Sequence, residues 1–117
     1  MQLKEEIDLS VLPFGLLELD DAGTVLYYRP DGPEHQNISA STLVGINLLT
    51  DVVPIAQARE FRDRLSLFLR THAPADNFHF TFRLEEGSVQ TKILLAHIRE
   101  QTETGAADSV LVHIRRA

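Results

Sequence analysis

The 117-residue chain contains no cysteine. That absence excludes disulfides, thiolate metal centres, cysteine nucleophiles and any cofactor held through a thioether or thioester. It also fits a reducing compartment, and a cytoplasmic location is the expectation. No run of about 18 apolar residues occurs, so no membrane-spanning helix is expected. The polar, acidic start MQLKEEIDLS does not resemble a secretory signal. A surplus of basic residues is missing too: the net charge is −6. A nucleic-acid surface needs a local excess of Lys and Arg to neutralise phosphates, so no nucleic-acid partner is expected. The arginines at 59, 62, 64 and 70 alternate with Glu60 and Asp63 and read as a solvated helix face. Phosphate-loop and dinucleotide glycine motifs are absent, as is a nucleophile elbow around Ser39 or Ser41. The carboxylates Glu18, Asp20, Asp21, Glu85 and Glu86 have no nucleophile or base set beside them. A non-enzymatic role is therefore expected.

What is present is an ordinary globular composition, 44% hydrophobic and 24% charged. The length suits one domain with one core, residues 1–117, in which 1–11 form an N-terminal cap segment and 12–117 the body. Ile7, Leu9, Val11 and Leu12 need a surface to pack on if the cap segment is ordered.

Phe14 to Asp20 reads as a strand, Asp20 to Gly23 as a turn, and Thr24 to Tyr28 as a second, β-branched and aromatic strand. Arg29-Pro-Asp-Gly-Pro33 is expected to break the ladder. Short helical turns should follow, one capped by Ser39 or Ser41 and ended by Gly45. Ala58, Phe61, Leu65, Phe68 and Leu69 recur at helical spacing and predict a helix from about Gln57 to Thr71. Three strands follow: Asn77–Glu85 with Phe78, Phe80, Phe82 and Leu84 on one face, Val89–Glu100, and Ser109–Arg116. The polar stretch Gln101–Asp108 reads as a loop. Short turns make the sheet antiparallel, and one long helix with smaller ones must cover one face of five strands. The fold class is α+β.

This order, carried by Leu12-Pro-Phe-Gly15, Leu19-Asp20, Gly23, Leu26, Tyr28, Gly45, Asn47, Asp51-Val52, Pro54, Glu60-Phe61, Phe78, Thr81-Phe82 and Lys92, resembles a PAS domain of the photoactive-yellow-protein type. The match runs without a gap from Leu12 to about Ala96. The resemblance implies a five-stranded antiparallel sheet with helices on one face and a pocket between them. In that type, 4-hydroxycinnamic acid is held there through a cysteine thioester. Here the cysteine position is Ile55, which has no nucleophile. Tyr28 matches the tyrosine that hydrogen-bonds the phenolate, but Gly32, Gln36 and Ile38 replace the buried acid, the supporting threonine and the lid arginine. No covalent hydroxycinnamate chromophore is expected.

By the resemblance, the pocket wall includes Leu17, Tyr28, Leu48, Val52, Val53, Ile55, Phe80 and Phe82, with Gly32 and Gln36 beside it. These side chains either fill the space or leave an apolar pocket for a small ligand anchored by Tyr28 or Gln36. No cofactor is expected; haem on His72, or less well on His35, is the alternative. His79, His97 and His113 should mostly lie on the outer sheet face, and no metal site is expected.

The outer face carries more apolar side chains than a solvated sheet needs. Leu94, Ala96 and Ile98 on one strand, and Leu111 with His113 on the next, call for a cover. Either Ile7 and Leu9 of the N-terminal segment supply it, or a second copy or an effector does. PAS domains commonly dimerise there, so the expected role is a sensory or regulatory module in signal transduction, acting by dimerisation or protein–protein contact. The alternative is a sensor of a small non-covalent ligand.

Overall fold

In the computed structural model, residues 11–31, 39–84, 87–103 and 105–117 are described. Among these residues eight elements follow one another: β1 (Gly15–Leu19), β2 (Val25–Pro30), α1 (Ala40–Leu43), α2 (Val53–Ala56), α3 (Arg59–Arg70), β3 (Ala75–Leu84), β4 (Gly87–Thr102) and β5 (Gly105–Arg116). The strands form one antiparallel sheet in the order β2-β1-β5-β4-β3. The first and last strands are thus neighbours at its centre.

Strand alternation sorts the side chains. Leu17 and Leu19, Phe82, Ile93 and Leu95, and Val110, Val112 and Ile114 are buried on the inner face. The amphipathic stripe of α3 meets them with Phe61, Leu65 and Phe68, and Leu43, Leu48, Val52 and Ile55 fill the rest. Each such side chain withdrawn fully from water contributes on the order of 1.5–3 kcal/mol.

The β1–β2 hairpin departs from simple alternation. Glu18 faces Tyr27, yet Leu19 faces Val25, so Leu26 is an extra residue in β2. This bulge turns Tyr28 and Val25, three positions apart, both into the core and leaves Leu26 and Tyr27 exposed. At the hairpin's open end, Gly15 allows the strands to close. A Cβ there would lie 2.3 Å from the Arg29 carbonyl oxygen, and its φ is +141°.

Two sequence expectations are corrected, and one element is added. Arg29 and Pro30 do not break the ladder: Pro30 pairs with Gly15, and the Asp31 N–H donates to the Phe14 carbonyl at 3.3 Å. Because β2 is an edge strand, the missing proline N–H leaves no neighbour unpaired. A short helix, α2, precedes α3, with Pro54 in its first turn, where no N–H is needed. In the polar stretch expected as a loop, Gln101, Thr102 and Gly105–Asp108 are strand, since the ladder runs on to Thr102 facing Gly105. Cross-strand pairing of the backbone needs no apolar alternation, and the exposed Arg99–Asp108 pair at 3.0 Å joins the two strands where they leave the core.

Candidate functional site

The residues that the sequence places around a pocket are brought together at the centre of the core. Tyr28 comes from β2, Phe82 from β3 and Ile55 from α2, and all three belong to one buried cluster. Phe80 packs against its rim, and Val53 is half-buried on α2. Gly32, Gln36, Ile38 and His35 lie outside the described residues.

The Tyr28 hydroxyl donates to the Phe14 main-chain carbonyl at 2.7 Å. Burial, and then the negative charge of Asp31, push its pKa up to about 12. The phenol is therefore neutral and committed as a donor within the hairpin. Ile55, Leu17, Leu48, Val52 and Phe82 have no surface open to water and meet protein on every side. Phe61 of α3 supplies the filling: its ring centroid lies 5.1 Å from that of Phe82 and 5.5 Å from that of Phe80, in tilted and edge-on geometries that aromatic quadrupoles favour. Among the described residues, Thr91 is the one polar side chain in the buried set, and its hydroxyl donates to the Phe80 carbonyl at 2.7 Å.

Asn47 has a role that its sequence position alone does not disclose. Its side-chain amide donates to the Ala22 carbonyl at 2.9 Å, and its side-chain oxygen accepts from the Leu49 N–H at 2.9 Å. Its own N–H donates to the Asp51 carboxylate at 2.9 Å. Main-chain bonds Val25 to Ile46 at 2.8 Å and Leu48 to Gly23 at 2.9 Å complete the joint. Asn47 and Asp51 thus rivet the helical segment to the β1–β2 turn, which Asp20 closes by accepting from the Ala22 and Thr24 N–H groups. Gly23 makes room with φ +93°. The signal was an Asn-x-x-x-Asp spacing after a glycine, which also suits a capped turn.

On the outer face, cross-strand pairing sets Leu16, His113 and Leu94 in one row and Glu18, Leu111 and Ala96 in the next. Leu94 is 40% exposed and Tyr27 46%; Leu111, Ala96 and Ile98 are half-buried. Ile7 and Leu9 lie outside the described residues. Glu18 accepts from the Ser109 hydroxyl at 2.7 Å, and His113 Nε2 lies 3.6 Å from an Asp31 carboxylate oxygen.

The histidines separate. His79 is exposed on β3, His113 is on the outer face, and His72 is exposed in the turn after α3. His97 turns inward rather than outward: its ring stacks on Phe68 at 4.3 Å and 13°, and its Nδ1 bonds the Ala73 carbonyl. The parity of β4 sends it to the end of α3, where a flat ring fits. His72 and His97 share a surface groove of 790 Å³. Among the described residues, no group of three or more His, Asp or Glu side chains could hold a metal ion. Among the same residues, no helix is long and apolar enough to cross a membrane.

No protein-family model matches the chain. It is similar to the photoactive yellow protein of Cereibacter sphaeroides, 27% identical over 92 residues, covering 79% of this chain and 72% of that protein. Among solved structures, it is similar to the photoactive yellow protein domain of the sensor histidine kinase Ppr from Rhodospirillum centenum, with a TM-score of 0.69 and 20% identity. That likeness covers 92% of this chain and 89% of the other. The PAS domain of Bordetella pertussis BvgS superposes with a TM-score of 0.65 at 14% identity, covering 90% and 77%. The fold is therefore a PAS fold, in a chain that resembles the photoactive yellow proteins and carries no cysteine with which to hold their chromophore.

Proposed function

We propose that this domain is a non-catalytic sensory or regulatory module in signal transduction, acting through dimerisation or protein–protein contact rather than through a bound chromophore. The observation that carries the reading is the state of the core. Ile55 stands where the resemblance puts the thiol, and it is fully buried against protein. Tyr28, the one signature residue retained, donates to Phe14 and not into an open space. A ligand shifts a conformational equilibrium only by binding one state better than the other, and a filled core offers it no contact surface in this state. The exposed Leu94 and Tyr27, beside half-buried Leu111, Ala96 and Ile98, supply apolar area for an interface on the sheet's outer face.

Native mass spectrometry of the purified protein tests this reading in one measurement. The expected spectrum shows a dimer at micromolar protein without added mass. A monomer carrying a stoichiometric small molecule would replace it with the ligand-sensor reading.

A further inference from the structure

β3 is the edge strand beside the helices, and among the described residues no other strand faces one side of its backbone. The Phe80 carbonyl points to β4, where the Thr91 hydroxyl reaches it. In an antiparallel ladder the pairing direction alternates, so the N–H and C=O groups of His79 and Thr81 point outward. Among the described residues, no loop backbone bonds to them. A groove of 720 Å³ takes in this edge, lined by Pro54 and Arg59 on the helix side, by His79, Phe80, Thr81 and Arg83 of β3, and beyond them by Ser88 and Gln90 of β4 and by Ala117.

Two features say what suits this groove. Its floor is apolar where Pro54 and the half-buried Phe80 face it. Its rim carries two arginines: among the described residues neither Arg59 nor Arg83 has an ion-pair or hydrogen-bond partner, in contrast to Arg64 and Arg99. One acidic residue, Glu60, lies among them. This local surplus stands on a chain whose net charge is −6. A second copy pairing edge to edge would bring like charges together, which disfavours self-association.

We propose that the open edge of β3 is a docking site for an extended, acidic segment of a partner protein, added as a sixth strand. Main-chain bonds to His79 and Thr81 supply affinity; an apolar side chain over Phe80 and carboxylates beside Arg59 and Arg83 supply selectivity. The inference is independent of how the outer face of the sheet is used.

The test titrates isotope-labelled protein with a capped peptide of alternating glutamate and valine, using its lysine–valine twin as control. Amide shifts confined to residues 77–84 and the facing α2–α3 turn are expected, with Kd below about 1 mM. Arg59→Glu with Arg83→Glu should weaken binding at least about tenfold while leaving the spectrum of the core unchanged. Thr81→Pro removes an outward N–H that β4 does not use, so it should abolish binding in a folded protein. Equal binding of the lysine peptide, or no shift at millimolar glutamate peptide, overturns the proposal. So does a β3–β3 dimer of this chain in the absence of peptide.

Discussion

The hydroxyl of Tyr28 and the carbonyl of Phe14 sit 2.7 Å apart across the mouth of the first hairpin, each satisfying the other. Tyr28→Phe leaves that carbonyl without its side-chain donor while preserving the ring. A loss of about 1 kcal/mol in urea unfolding is expected, with an unchanged denaturant slope. A stability equal to the parent's would mean that water replaces the phenol at no cost.

The same phenol makes the protein sensitive to alkali. Its folded pKa is raised to about 12 from 10.0, chiefly by burial and then by Asp31. The neutral form is the one the folded state holds, so the native protein binds more protons than the unfolded chain between these values. The contribution is whole below pH 10 and is lost as pH rises toward 12, by up to about 2–3 kcal/mol. Ultraviolet titration should show one of the two tyrosines ionising late, together with unfolding; Tyr28→Phe should remove that late phase.

At Ile55 a thiol alone should not restore a photoreceptor. The side chain is enclosed, Tyr28 is occupied by Phe14, and the sequence has Gly32 and Gln36 where the resemblance puts an acid and a threonine. Ile55→Cys, given activated hydroxycinnamate, is expected to yield at most a labelled protein without a strongly red-shifted, buried phenolate band. A stable band of that kind would show that the core opens more readily than its packing implies. Ile55→Ala, by contrast, should cost about 2–5 kcal/mol through the cavity it leaves.

Asn47→Ala removes two side-chain bonds, to Ala22 and from Leu49, at the joint between turn and helices. At about 1 kcal/mol each, a loss near 2 kcal/mol is expected. Hydrogen exchange should quicken first at Val25 and Leu48, whose N–H groups bond across the same joint. Uniform quickening over the whole sheet would place the effect elsewhere.

For the outer face, Leu94→Glu and Leu111→Glu should each convert a dimer into a monomer in sedimentation, with the far-ultraviolet circular dichroism unchanged. Both sit on the face away from the core, so a charge there does not enter it. Persistence of the dimer in both variants would remove this face from the interface.

Much of this architecture was legible because period and composition agreed. Phe78, Phe80 and Phe82 alternate, α3 shows one clean apolar stripe, and no competing pattern exists for either. Pro30 misled because a proline's effect depends on whether its strand has a neighbour, which only the topology reveals. Gln101–Asp108 misled because polar composition does not by itself mark irregular backbone. The inward turn of His97 followed from β4 parity, yet a histidine on a strand reads as surface. For the candidate site, the substitution at Ile55 was readable from the resemblance. The engagement of Tyr28 with Phe14 was not, since it depends on a bulge at Leu26 that no local signal marks.

The place of β5 between β1 and β4 bears on synthesis. A nascent chain can form the β1–β2 and β3–β4 hairpins early, but these two halves share no ladder until Val110–Ile114 reach Gly15–Leu19. Completion of the sheet therefore waits for β5 to emerge from the ribosome. Until then the inner faces of both hairpins stay exposed, and this interval is when the chain is most open to chaperones and to misassembly with its neighbours.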